Sequence, residues 1–130
     1  MKIEGPNTSV NKSQEELFNF LTEVANYEKI MPENTQKFEI LSDNKFLFQL
    51  KGMPEIGLKI QEQKPNDTVV LGSISDKFAF SLTGNITATT EATSDIQLVF
   101  AGEFNSMMAM MIKSPLKKFV NTLSENLGKL

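Results

Sequence analysis

The chain has 130 residues, a net charge of −3, 40% hydrophobic residues and ten phenylalanines, enough apolar mass for one folded domain spanning 1–130. It contains no histidine, cysteine, arginine or tryptophan. Those absences exclude disulfides, Cys-based zinc sites, Ser-His and Cys-His nucleophiles and the HExxH metalloprotease motif. Without arginine, the usual bidentate phosphate clamp, and with a net negative charge, nucleic acid is not an expected partner.

The opening "MKIEGPNTSV" lacks the apolar run of a signal peptide, and no stretch approaches the roughly 18–20 apolar residues of a membrane span. The expected setting is cytoplasmic, and the four sequons at Asn7, Asn11, Asn66 and Asn85 reflect an Asn/Ser/Thr-rich chain. This opening reads as a strand. Ser13-Gln14-Glu15-Glu16 then has the form of a capping box, and Leu17, Phe18, Leu21 and Val24 follow at helical spacing. A second short helical segment over Ala25–Ile30 ends at Met31-Pro32, because a residue before proline is pushed out of the helical region.

From 36 to 104 the period becomes two. "KFEIL" places Phe38 and Ile40 on one face, "KFLFQLK" Phe46, Phe48 and Leu50, and "EIGLKIQEQ" Ile56, Leu58 and Ile60. "TVVLGSI" is apolar on both sides, "KFAFSLTG" aligns Phe78, Phe80 and Leu82, and "DIQLVFAGEF" aligns Ile96, Leu98, Phe100 and Phe104. The breaks Ser42-Asp43-Asn44, Gly52-Met53-Pro54 and Pro65-Asn66-Asp67 are short turn signals, which favour hairpins and an antiparallel meander. "NITATTEATSD" is either a long hairpin or a looser loop.

From Ser106 the period is helical again. Met108, Ile112, Leu116, Phe119, Leu123, Leu127 and Leu130 form one apolar stripe over six turns. Met107, Met110 and Met111 fall outside that stripe at about 100° per residue. Pro115 cannot donate to the Met111 carbonyl, so a kink is expected. The helix is thus apolar nearly all round before Pro115, and that surplus must be buried, cover a cavity or meet a partner. Methionine suits each role through its flexible thioether. Two overlapping M-x-x-M patterns offer sulfur to Cu(I), but no His or Cys supports them, and neither a metal nor a cofactor is expected.

The sequence "SQEELFNFLTEVANYEKIMP" at the front and "GEFNSMMAMMIKSPLKKFVNTLSENLGKL" at the back resemble the START/Bet v 1-like (SRPBCC) superfamily. Within it, the likeness is to small bacterial polyketide cyclase/dehydrase-like and lipid-transport-like members. The resemblance spans the chain and rests on residue classes. It implies an α+β helix-grip fold: a curved antiparallel sheet of about seven strands wrapped around a long C-terminal helix, with two short helices after the first strand. It also implies a cavity for a hydrophobic small molecule between sheet and helix. The residues it points to are Phe48, Leu58, Phe80, Leu98 and Phe100 on the sheet, and Met108, Met111, Ile112 and Phe119 on the helix. Catalytic members typically place His, Arg, Tyr, Asp or Glu in the cavity; this chain lacks the first two and has one tyrosine, Tyr27.

Among other polar groups, Glu15/Glu16 and Glu23/Glu28 read as cap and surface charges. Glu62 shares parity with Leu58 and Ile60 at a strand end; it reads as a wet, solvated strand-end acid, with an inward carboxylate of raised pKa as the functional alternative. Lys113, Lys117 and Lys118 cluster around Pro115 and read as a solvated helix face, with attraction of an anionic headgroup as the functional alternative. The favoured expectation is a non-enzymatic carrier of a hydrophobic, lipid-like or polyketide-like molecule. The alternatives are an interaction module or homodimer using the Met107–Met111 patch, and a cyclase-like enzyme using Glu62 or Tyr27.

Overall fold

The computed structural model describes residues 1–74 and 79–130. The first strand, β1 (Lys2–Val10), is followed by α1 (Gln14–Leu21) and a 3₁₀ helix (Val24–Ile30). Six further strands come next: β2 (Thr35–Ser42), β3 (Lys45–Leu50), β4 (Ile56–Lys64), β5 (Thr68–Ser73), β6 (Phe80–Ala88) and β7 (Ser94–Gly102). The chain closes with α2 (Ser106–Leu127). All seven strands lie in one antiparallel sheet of order β1-β7-β6-β5-β4-β3-β2. The meander from β2 to β7 thus ends beside β1, and the two short helices carry the chain from one edge to the other.

Local chemistry sets these boundaries. The Ser13 hydroxyl accepts the Glu16 backbone N–H, and the Glu16 carboxylate accepts the Ser13 N–H, both at 3.1 Å. This reciprocal pair satisfies donors that a helix start leaves without partners. Asn105 caps α2 by accepting the Met108 N–H at 2.8 Å. Two of the three turns named from sequence use left-handed backbone at one residue each, supplied by Gly52 (φ 82°) and Asn66 (φ 65°). "NITATTEATSD" is a hairpin: β6 and β7 pair from Phe80↔Gly102 to Ala88↔Ser94, with residues 89–93 as its loop.

α2 lies across one face of the sheet, packed closest on β1 and also on β7 and the 3₁₀ helix. Gly5 makes the β1 approach close: a Cβ there would stand 2.8 Å from Val120 Cγ1. Leu116, Phe119, Leu123 and Leu127 of the expected stripe are buried, and so are Val120 and Ser124. Ser124 stays satisfied by donating to the Val120 carbonyl at 2.9 Å. α2 runs unbroken through Pro115.

Three sequence readings, one of them an alternative, meet a different outcome or none. Ile40 faces Phe46 across the ladder yet is 49% exposed, because β2 is the edge strand and, among the described residues, no element covers its far end. Glu62 is exposed on the outer face. A register shift between Ile60 and Glu62 sets Glu62 opposite Val70, between the buried Val69 and Leu71, and so reverses the parity that pointed it inward. Phe78 lies outside the described residues.

Candidate functional site

The space between sheet and α2 divides into a closed and an open half. The closed half lies under the C-terminal turns of α2, where Leu123 and Leu127 meet Leu21, Tyr27, Leu71 and Leu98. The void left there is about 10 Å³, at the lower limit for a single water. Tyr27 belongs to this half. Its ring stacks on Phe46 with centroids 5.0 Å apart, and its hydroxyl donates to the Leu21 carbonyl at 2.7 Å. Burial holds its pKa well above the ordinary phenol value.

A column of stacked rings ends the closed half. Phe46 stacks on Phe48 at 6.3 Å, and Phe48 on Phe119 of α2 at 5.0 Å and 11° between planes. Beyond Phe119, one turn toward the N-terminus of α2, the interior opens.

That open space is a cavity of about 310 Å³. From α2 it is walled by Met108, Met111, Ile112 and Leu116. From β6 and β7 come Phe80 and Phe100, stacked at 5.3 Å, with Phe104 beyond them at 6.3 Å from Phe100. The turn Met53-Pro54-Glu55 and the start of β4, Ile56-Gly57, close the other side, with Ser73 at the end of β5. The cavity explains why Met108 and Ile112 are only half-buried although they continue the stripe that is buried from Leu116 onward. They face space instead of side chains.

The chemistry of this lining is nearly uniform. Among its described residues the one ionisable side chain is Glu55, whose carboxylate is 3.1 Å from Lys37 Nζ at the exposed rim. That ion pair holds the Lys37 ammonium above its ordinary pKa, first through the hydrogen bond to Glu55 and then through its charge. Tyr27 and Glu62 both lie away from the cavity, so neither offers it a proton. A larger recess of about 670 Å³ lies between α2 and the segments around Pro32 and Leu50. Its walls mix Phe119 and Leu50 with Glu33, Lys51, Lys118 and Glu125, so water solvates it readily.

Of the nine positions expected to face a ligand, Phe80, Phe100, Met108, Met111 and Ile112 line the 310 Å³ cavity. Leu98 lines the closed half, Phe119 faces the polar recess, and Phe48 and Leu58 are fully packed in the core. Reasoning from the sequence missed Met53, Pro54, Ile56, Phe104 and Leu116 as cavity residues. Ile56, Phe104 and Leu116 carried the right periodicity, whereas Met53-Pro54 read only as a turn. The surplus methionines divide. Met107 and Met110 are 76% and 84% exposed, while Met111, 71% exposed, stands at the cavity rim.

No protein-family model matches this chain, and no curated protein matches it in sequence. Solved structures do match it. Norcoclaurine synthase from Thalictrum flavum, in complex with dopamine and hydroxybenzaldehyde, aligns with a TM-score of 0.72 and 12% identity, over 99% of this chain and 84% of that one. A START superfamily protein from Mycobacterium smegmatis aligns at 0.70 and 12%, over 98% and 94%. A protein from Thermus thermophilus aligns at 0.75 and 9%, over 99% and 95%. The chain has the START/Bet v 1-like helix-grip fold over nearly its whole length.

Proposed function

We propose that this chain of START/Bet v 1-like fold binds a compact hydrophobic small molecule between the N-terminal half of α2 and the strand ends of β4, β6 and β7. The observation that carries this reading is an open cavity of about 310 Å³ walled by Phe80, Phe100, Met108, Ile112 and Leu116. Small-molecule sites are mostly apolar recesses of roughly 300–1,000 Å³ with a few polar orienting groups. This one lies at the bottom of that range, which favours a compact molecule over a lipid with two acyl chains. Transfer of apolar surface out of water supplies the affinity. Methionines on one wall let the site repack around ligands of different shape. Ser73 and Glu55 stand where a polar end of the ligand would reach the rim.

The test is solvent extraction of natively purified protein followed by mass spectrometry, with titration of a fluorescent fatty acid in parallel. Wild type is expected to yield a bound apolar compound or to bind the probe saturably. Ile112→Trp, which places a ring in the cavity, is expected to abolish both. An empty extract together with probe binding that Ile112→Trp leaves unchanged would reject the proposal.

A further inference from the structure

The outer face of the first half of α2 has a composition that the cavity does not account for. At about 100° per residue, Met107, Met110, Met111, Ser114, Lys117 and Lys118 share one face, with Lys113 at its edge. All seven are exposed. Met107, Met110 and Met111 leave 76%, 84% and 71% of their surface to solvent, the largest values among the exposed large hydrophobics of the described residues. A monomer gains nothing by exposing three neighbouring thioether chains on one helix, and contiguous apolar patches of this kind mark contact sites.

The charge around the patch selects the kind of contact. From Ser106 to Ser124 the helix carries three lysines and no carboxylate, although the whole chain has a net charge of −3. Its first acid, Glu125, lies two turns beyond Lys118. Of the acids outside the helix, Glu55 on the opposite lip of the cavity is paired with Lys37 at 3.1 Å, Glu103 is exposed two residues before the Asn105 cap, and Glu33 shares the polar recess with Lys118. A helix face with flexible apolar chains at one end and lysines one to two turns further matches an interfacial segment. The apolar chains enter the acyl boundary, and the ammonium groups stay at the level of the headgroups.

We infer that this face docks on an anionic lipid surface, with Met107 and Met110 inserted and Lys113, Lys117 and Lys118 on the headgroups. Met111 belongs both to this face and to the cavity rim, so docking would bring the cavity mouth to the bilayer. The inference stands on the exposed face and does not require the cavity to hold a ligand.

The test is flotation of the full chain with vesicles of pure phosphatidylcholine and with vesicles of equal parts phosphatidylcholine and phosphatidylglycerol. Binding is expected to the mixed vesicles only, and high salt is expected to release it. An anionic surface contributes roughly fivefold in partitioning per lysine. Neutralising all three as K113Q/K117Q/K118Q is therefore expected to lower the partition coefficient by about a hundredfold. Met107→Ser with Met110→Ser is expected to lower it as well. Every altered side chain is exposed, so melting curves report whether the fold is kept. Absence of flotation overturns the inference, and so does flotation that the methionine pair leaves unchanged. A mass that doubles with concentration, reverts to monomer on the methionine changes and occurs without flotation makes the occupant a second copy, which also overturns it. A chain that yields extracted ligand but does not float rejects docking alone; one that floats but is empty and binds no probe rejects the ligand reading alone.

Discussion

Truncating Phe119 and truncating Ile112 to alanine measures the division of the interior into a closed and an open half. Phe119 is 4% exposed and lies flat on Phe48 at 5.0 Å. Its loss removes the transfer free energy of a ring and leaves a void that the fully buried Phe48 and Phe46 cannot readily fill. Phe→Ala at such a site costs about 3–5 kcal/mol. Ile112 is on the same stripe four residues before Leu116, but it already borders open space and is half-buried. Its truncation enlarges an existing cavity and forfeits only part of a side-chain transfer, about 1–1.5 kcal/mol. A domain of this size has a total stability of about 5–15 kcal/mol. Each kcal/mol moves Tm by roughly 3–5 °C at this chain length. Phe119→Ala is therefore expected to melt about 10–20 °C below wild type and Ile112→Ala about 5 °C below. Thermal and urea unfolding followed by circular dichroism supply both numbers. Equal losses for the two variants, or a Phe119→Ala loss under about 1 kcal/mol, would refute the closed-and-open division.

Gly5→Ala is expected to destabilise by about 1–3 kcal/mol, because the new methyl would meet Val120 Cγ1 at 2.8 Å and force α2 away from β1; urea unfolding reads it directly. Tyr27→Phe is expected to cost about 1 kcal/mol through the lost bond to the Leu21 carbonyl. Because burial raises the folded-state pKa of Tyr27, its contribution is full below the unfolded phenol range and declines as pH rises beyond it, so alkaline melts of wild type should fall more steeply than those of Tyr27→Phe. Ser13→Ala removes the cap of α1 and is expected to cost about 1 kcal/mol. The Glu16 carboxyl is held below its ordinary pKa first by the Ser13 backbone N–H and then by the Ser13 hydroxyl. Its contribution is present above the unfolded carboxyl range and is lost as pH falls through the lowered folded value. NMR titration of Glu16 should show that low midpoint and its rise in Ser13→Ala.

Much of this molecule is legible before any coordinates. The capping box at Ser13, the period-two runs from Phe38 to Phe100, the turns at Gly52 and Asn66 and the stripe from Met108 to Leu127 each depend on a residue and its near neighbours. Local rules therefore place them, and the element order then points to the helix-grip arrangement. The surplus of Met107, Met110 and Met111 over the stripe follows from helical phase alone.

What periodicity supplies is the side of an element on which a residue stands, not what stands opposite. Phe48 and Phe80 have the same inward pattern, yet Phe48 is stacked on Phe119 in packed core and Phe80 faces open space. The difference arises from which part of the sheet α2 packs against, a property of sheet and helix together. A bulge after Ile60 reversed Glu62, and the edge position of β2 left Ile40 uncovered; neither depends on the residue itself. The elements, their apolar faces and the excess methionines can be read along the chain, because short-range geometry sets them. That the interior is closed under Leu123 and open over Ile112, and that Met107 and Met110 face outward while Met111 borders the opening, emerges only when sheet and helix are packed together. Those outcomes depend on the separation between the two, which no local stretch encodes.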